Sequence, residues 1–459
     1  MYYALKDTTR LHKEESCVVV FSVEDTGALL YIHPVYAVLL ALLDGKVERD
    51  DLLHVLTAVF SYETDGAAEI LDKALTDFAD FLVTSPKPSP IKQRYEATDF
   101  LFEPHGDPNL RRLSAPISVA WLVTERCPFN CIYCCIRTYP VNATDTGEMT
   151  SVQAERFVED CIRSGVQSVT VHGGEPFLRQ DLPELMGHLL TNDVHVCVST
   201  KLPMKEKTVE RLAEIGLPEL QISIDSPDAS EADHLVGRSG YLRGAFRNID
   251  LLQQFGISVK SNTVVTSRNV HQIPELLREL AAMGVRKMTL AGYLRGFWTH
   301  EDRLFPDPHS LQTMAEKIER LKGELPEVEL TMCPLESPRE ASLSNGGKHL
   351  SGCSGGRSGL VVGADGKVNI CDRMVGFDDV VVGDVTESSL MEIWDGNLLA
   401  NLMDPPPEFF TGTACADCSM MDACNRRTRC YYRTKMVDGR LFGPDYLCPV
   451  VPPPPLRFF

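Results

Sequence analysis

An α/β fold is predicted: a partial (β/α)6 barrel at residues 116–305, a small winged-helix-like domain before it at 1–85, and a cysteine-rich domain after it at 351–459. Three observations predict it. From Ile117 onward, short apolar runs alternate with amphipathic helical ones through six units. Chemically special residues recur where the apolar runs end. After about Glu336 the alternation stops, and seven of the 15 cysteines fall between Cys353 and Cys448. Continuous apolar strands suit a parallel sheet buried on both faces, with right-handed crossovers throughout. Special residues at strand C-terminal ends favour a barrel over a doubly wound sheet.

The N-terminal region reads as alternating strands at CVVVFSVE and ALLYIH, then helices at PVYAVLLALL, ERDDLLHVLTAVF and AAEILDKALTDFADFLV. Residues 86–115, rich in proline and polar side chains, read as a linker. In the barrel region the strands fall at ISVAWLVTE, SVTVH, VHVCVST, ELQISIDS, SVKSNTVVT and KMTLAGY. The helices fall at TSVQAERFVEDCIRS, LPELMGHLL, KEKTVERLAEIG, YLRGAFRNIDLLQQFG, VHQIPELLRELAAMG and LQTMAEKIERLKGEL. Residues 306–350 bridge to the cysteine-rich region, which is expected to be organised by metal rather than by a large apolar core.

At about 150 residues per domain, a 459-residue chain suggests three domains. A net charge of −19, from 45 basic against 64 acidic side chains, argues against a nucleic-acid partner, which needs clustered Lys and Arg. The charged N-terminus lacks the apolar core of a signal peptide, and the apolar stretch Leu29 to Leu43 is broken by His33 and Pro34, short of the roughly 20 residues that span a bilayer. No membrane partner and a cytoplasmic location are therefore expected. In that compartment thiols stay reduced, and grouped cysteines read as metal sites.

The sharpest group is Cys127, Cys131 and Cys134, in CPFNCIYC just after the first barrel strand. Iron-sulfur cubanes are usually held by four thiolates; a triad without an obvious fourth leaves one iron open to chelate a small molecule. Zinc is the alternative, with the adjacent Cys135 as a fourth ligand. The CxxxCxxC spacing, with aromatic Tyr133 before the last cysteine, resembles the signature of the radical S-adenosylmethionine superfamily. The resemblance implies that the open iron binds the methionine amino and carboxylate groups. Electron transfer then cleaves the sulfonium, and the 5′-deoxyadenosyl radical abstracts hydrogen from a substrate.

About forty residues on, at the next strand end, Gly173, Gly174, Glu175 and Pro176 resemble the superfamily's GGEP run, which binds the amino group of S-adenosylmethionine. Two glycines let backbone approach a ligand closely. By the same resemblance, Ser199 and Lys201 end the third strand and Ser223 and Asp225 the fourth, where relatives contact ribose or carboxylate. Arg238 resembles the arginine that pairs with the methionine carboxylate, a task suited to a guanidinium fork. Asn262 lies on the fifth strand, and Tyr293 closes LAGY, which resembles the stretch that holds adenine. For each of these a capping or structural role is the competing reading.

The late cysteines resemble the SPASM domain, which holds two auxiliary 4Fe-4S clusters, making three in all with the first. Cys353 and Cys371 flank Gly366, followed by Cys415, Cys418, Cys424, Cys430 and Cys448. Five residues separate Cys424 from Cys430, where the family spacing is three. The resemblance implies Cys415, Cys418, Cys424 and Cys448 around the outer cluster, and Cys353, Cys371 and Cys430 around the inner one. The inner cluster is then one ligand short unless Cys333 supplies it, and an open position suits a substrate thiolate. A pair of zinc sites is the alternative.

In the N-terminal domain TRLHKEES, two strands and then LLDG (Leu42 to Gly45) before a helix resemble the RiPP recognition element, a PqqD-like domain implied to bind a precursor's leader by adding a strand to its sheet edge. A winged helix for DNA or an accessory domain is the alternative. Together the resemblances imply a maturase that installs a cross-link, foremost a cysteine-to-carbon thioether, in a ribosomally made peptide, with a flavodoxin or ferredoxin as electron donor. The rivals are carbon-carbon or carbon-oxygen cross-linking at aromatic residues, side-chain oxidation as in sulfatase maturation, and a leader-binding scaffold whose clusters are only structural.

Overall fold

The structure, a computed structural model, describes residues 1–108, 110–136, 139–143, 147–298, 301–332, 350–351, 353–425, 429–448 and 450–451. The chain divides into two units. The first takes in Met1–Ile117 with the return segment to Ser358, and the second the remainder. Among the described residues no helix is long and apolar enough to cross a membrane.

In the first unit, strands β1 (Tyr2–Leu5), β2 (Thr9–Lys13), β3 (Val18–Ser22) and β4 (Asp25–Ile32) lead into helix α1 (Pro34–Ala41), β5 (Asp44–Glu48), α2 (Arg49–Ala58), α3 (Thr64–Asp77) and β6 (Leu82–Ser85). Strands β2, β3 and β4 form an antiparallel meander, with the two-residue strand Leu350–Ser351 on its β4 edge. A second sheet places β1 between β5 and β6. The three expected helices are present. The stretch LLDG, however, runs into strand β5, and the last helical run breaks at Phe78 so that its end pairs with β1. Exposed alternation on short segments hid both strands from the sequence pattern. The expected linker at 86–115 packs as part of this unit: Phe100 and Leu113 are buried, Ser89 and Ile91 extend the β5 edge, and the Tyr95 hydroxyl accepts the Leu11 N–H.

The second unit is built on one sheet. Its strands are β7 (Ser118–Leu122), β8 (Ser168–His172), β9 (His195–Thr200), β10 (Glu219–Ser223), β11 (Ser258–Val265), β12 (Lys287–Gly292), β13 (Glu329–Met332), β14 (Gly359–Val362), β15 (Lys367–Asn369) and β16 (Gly383–Asp384). The six expected strands stand in chain order and pair in parallel. The parallel run does not stop at six. Strand β13 adds in parallel beside β12, and β14 adds in parallel on the outer side of β7, so the bridging and cysteine-rich segments both enter the barrel sheet. Strands β15 and β16 continue antiparallel from there.

The helices are α4 (Ser151–Arg163), α5 (Leu182–Thr191), α6 (Glu206–Glu214), α7 (Ala229–Val236), α8 (Tyr241–Gln254), α9 (Ile273–Ala282) and α10 (Pro308–Glu324), then α11 (Leu390–Trp394), α12 (Asn397–Met403) and α13 (Tyr431–Asp438). Caps fix where several begin. Thr150 and Gln153 form a reciprocal capping box on α4, while Asp228 and Asp307 accept the N–H groups of Glu231 and Ser310 at the starts of α7 and α10. Period-two alternation along β8 to β12 turns Val169, Val171, Val196, Val198, Leu220, Ile222, Met288 and Leu290 into the core under the helices. The opposite face carries half-buried polar groups, among them Cys197, Ser199, Gln221, Asn262 and Thr289. That face lines the barrel's interior.

The cysteine-rich region was expected to depend on metal for its organisation, yet it shares the apolar core. Leu360, Val362, Val368, Leu390, Trp394, Leu399, Tyr432 and Met436 belong to the same buried cluster as the barrel strands and helices. Phe297, just past β12, sits edge-on to Phe377 and Tyr432, with ring centroids 4.8 and 5.3 Å away. Within that core Trp121 packs on Phe157, edge-to-face at 5.2 Å, both fully buried. Phe157→Ala is expected to lower stability by about 3–5 kcal/mol, read as an earlier denaturant midpoint for loss of the barrel's helical signal.

Candidate active site

The chain leaves β7 at Leu122 and turns over the C-terminal edge of the sheet, carrying Cys127, Cys131 and Cys134 on one loop. That loop is fixed from two sides. On one, the turn after β8 presses against it: Gly174 N–H donates to the Thr124 carbonyl at 2.7 Å and Glu175 N–H to the Arg126 carbonyl at 2.8 Å. A Cβ on Gly173 would stand 2.3 Å from the Thr124 oxygen, and one on Gly174 would stand 2.2 Å from the Arg126 oxygen. Gly173 also has φ +148°, a region open chiefly to glycine. The two glycines therefore serve the approach of backbone to backbone.

On the other side, the end of α7 holds the loop. Asn130 N–H donates to Val236 and Ile132 N–H to Leu235, each at 3.0 Å. Gly237 ends α7 in the left-handed region at φ +66°, where a Cβ would meet the Asn130 oxygen at 2.8 Å. Helix α7 escaped the sequence analysis, because its eight residues carry only a short apolar pattern. The entry to the loop is tied by Arg126, whose guanidinium binds both oxygens of Glu148 at 2.9 Å.

Glu175 is buried and reaches from the β8 turn to the end of β9. Its carboxylate accepts the Thr200 hydroxyl at 2.7 Å and the Lys201 backbone N–H at 3.0 Å. Burial pushes its acidity down, so the carboxyl protonates above its usual range, while the Lys201 and Thr200 bonds oppose that shift. Pro176 follows as the first residue of a short 3-10 turn. Asp225, also buried, accepts the Tyr133 hydroxyl on one oxygen and the Val264 N–H at 2.8 Å on the other. Tyr133 is thereby fixed between Cys131 and Cys134. The Ser223 carbonyl accepts the Tyr241 hydroxyl.

The remaining expected contacts scatter. Ser199 and Asn262 lie half-buried on the interior face. Arg238 is exposed and stacks its guanidinium 5.2 Å from the Phe129 ring of the cysteine loop. Tyr293 is packed as a structural residue: its hydroxyl accepts the Glu301 N–H at 2.8 Å, its ring lies 4.9 Å from that of Phe305, and burial pushes its phenol up to about 12.

No described cysteine is in a disulfide. Among the described residues no three His, Cys, Asp or Glu side chains converge as a single metal ion requires. The loop itself offers three soft sulfur donors with no hard oxygen donor among them, a set that suits an iron-sulfur cluster. Burial pushes the Cys127 thiol up to about 11 and that of Cys134 to about 12, and raises Cys131 as well. Lys201 works against all three shifts. Thiols this reluctant to ionise become thiolates when a metal replaces the proton.

Cys415 is buried, which raises its thiol; the neighbouring Arg429 lowers it, and Cys424 and Cys448 raise it further. Cys418 lies one turn on, its N–H donating to the Cys415 carbonyl at 3.2 Å. Arg429, which the sequence analysis passed over, lies 4.4 Å over the Phe410 ring and bonds Asn425 at 2.7 Å. Cys371 and Cys430 are half-buried; Arg373 lies near Cys371, and its guanidinium stacks 5.0 Å from the Tyr432 ring. Cys353 is exposed and groups with the first unit. Cys333 lies outside the described residues.

The profile of the Radical SAM superfamily matches residues 121–280, and that of the SPASM iron-sulfur cluster-binding domain matches residues 353–426. The chain therefore carries a radical S-adenosylmethionine domain followed by a SPASM domain. Among its relatives is a PqqA peptide cyclase of Granulibacter bethesdensis, 26% identical over 62% of this chain and 75% of that protein. An AdoMet-dependent heme synthase of Methanosarcina barkeri is 26% identical over 70% of this chain and 94% of its own length. Streptococcus suis SuiB, in its structure bound to the precursor peptide SuiA, shares the fold with a TM-score of 0.65 at 16% identity, over 98% of this chain and 100% of that one.

Gly174→Ala is expected to displace the cysteine loop and abolish the iron bound there, leaving the auxiliary share in place. Gly323→Ala, whose Cβ meets nothing within 4 Å, serves as the control. Iron and sulfide analysis after anaerobic reconstitution checks both.

Proposed function

We propose that this chain is a maturase that cross-links a ribosomally made precursor peptide, foremost through a cysteine-to-carbon thioether. The observation that carries the reading is the triad loop, pinned over the open end of a polar-faced parallel sheet and combined in one chain with a second cysteine centre. Three soft donors on that loop suit a cluster, which with S-adenosylmethionine supplies an electron and a carbon radical. The protein's own part is placement and exclusion of water. Glu175 ties the ends of β8 and β9 together beneath the loop, and Asp225 fixes Tyr133 within it. The ligand sets around the auxiliary clusters are proposed as Cys415, Cys418, Cys424 and Cys448 for one, and Cys353, Cys371 and Cys430 for the other.

The likeness to a peptide cyclase and to a protein that binds a precursor peptide supports a peptide substrate. The thioether reading rests on an inner cluster one protein ligand short, a position that a substrate thiolate fills. The first unit is proposed to bind the leader, in a cytoplasmic protein that draws its electrons from a flavodoxin or ferredoxin. The relation to a heme synthase favours a second reading, chemistry on a porphyrin. Against it, this chain aligns 94% of that protein with only 70% of itself, which leaves nearly a third of its length without a counterpart there.

The reduced protein, given S-adenosylmethionine and a short cysteine-bearing peptide encoded beside its gene, is expected to release 5′-deoxyadenosine and remove two hydrogens from the peptide per cross-link. Cys131→Ala is expected to abolish both. Mass spectrometry decides the bond: a two-hydrogen loss that survives replacement of every core cysteine rules out the thioether. Turnover of a porphyrin with none of the peptide would favour the second reading.

A further inference from the structure

Lys201 follows the end of β9 beside the cysteine loop, and its surroundings are set by the fold. Its backbone N–H is spent on Glu175 at 3.0 Å, which fixes where the side chain departs from the end of β9. From there the ammonium reaches over the Tyr133 ring, 5.7 Å from its centroid. That ring lies between Cys131 and Cys134 in the loop, and its hydroxyl is held by Asp225. The ammonium thus stands over the cysteine loop, between the buried Glu175 that holds its backbone and the buried Asp225 that holds the Tyr133 hydroxyl. A lysine ammonium is cationic at neutral pH.

We propose that Lys201 is a built-in counter-charge to the triad, a positioning residue that sets how readily a cluster held by Cys127, Cys131 and Cys134 accepts an electron. The inference rests on reading the triad as a cluster site, and it is distinct from a contact to S-adenosylmethionine. A cluster held by thiolates is negative and becomes more so on reduction. A fixed positive charge close by, in surroundings less polarisable than water, stabilises the reduced form more than the oxidised one. The backbone bond to Glu175 does not depend on the side chain, so Lys201→Met keeps that bond and the apolar stem while removing only the charge. Lys201→Arg keeps the charge.

The test uses the full-length reconstituted protein without S-adenosylmethionine, so that loss of a contact to that ligand has no bearing. The readout is the electron paramagnetic resonance component that Cys131→Ala lacks, followed against applied potential. Where half of that component is reduced in the wild type, Lys201→Met is expected to show about a tenfold lower ratio of reduced to oxidised cluster, a shift of ~59 mV for one electron. Lys201→Arg is expected to stay close to the wild type. An unchanged ratio in Lys201→Met with full iron content overturns the proposal. Should Lys201→Met bind no iron at the triad, retention of iron by Lys201→Arg upholds the counter-charge, and loss in both variants overturns it, because shape and not charge is then what matters. A wild-type protein with no Cys131-dependent component would overturn the cluster reading itself, an outcome distinct from an unchanged potential.

Discussion

The contact on which the site depends is between two stretches of backbone. Gly173 and Gly174 let the turn after β8 lie against Thr124 to Arg126 at distances that no side chain permits. Everything at the mouth of the sheet is referenced to that contact. The cysteine loop begins one residue past it, and Glu175 begins one residue past it on the opposing strand. The N–H groups that would otherwise point at a ligand are used on the Thr124 and Arg126 carbonyls. A loop carrying three thiols gains its rigidity from main-chain bonds that do not vary with side-chain chemistry, which is what a site must have if its donors are to stay in place as their charge changes.

Charge is the second constraint. Glu175 and Asp225 are buried close to thiols that become negative once they ligate a metal, and isolated buried anions are costly. The fold meets this cost with hydrogen bonds from Thr200, Lys201, Val264 and Tyr133, and with the one ammonium of Lys201 above the Tyr133 ring. The auxiliary centre repeats the device with arginine: Arg429 stands among Cys415, Cys424 and Cys448, and Arg373 lies beside Cys371. An arginine and its aromatic partner, Phe410 in one case and Tyr432 in the other, place a cation next to sulfur in a setting otherwise built from apolar side chains.

The cysteine-rich region is less separate from the barrel than its composition suggests. Strand β14 pairs in parallel with β7, the strand that delivers the triad, and β15, which leads to Cys371, pairs antiparallel with β14 in the same sheet. Trp394, Leu399 and Tyr432 complete the core begun by Trp121 and Phe157. Relative placement of the two cysteine centres therefore follows from the sheet and the shared core, and metal ligation adds to a framework that apolar packing already provides.

Much was legible in the sequence because it is local. The spacing of Cys127, Cys131 and Cys134 is a property of one loop, and the six apolar runs from Ile117 are long enough for their period to show. The late cysteines and the GGEP run likewise needed only their order along the chain. What the sequence left open depends on partners distant in the chain. Helix α7 holds the triad loop through Leu235 and Val236, a hundred residues downstream, and its short pattern gives no sign of that. That Glu301 and Phe305 take up the hydroxyl and the ring of Tyr293 is likewise visible only in the folded chain. The two glycines spoke of close approach, but only the folded chain shows that the body approached is the protein's own backbone. Sequence determined which groups carry the chemistry; tertiary structure decided which neighbour each one faces, because burial, charge compensation and backbone contact are made between elements that the chain order does not bring together.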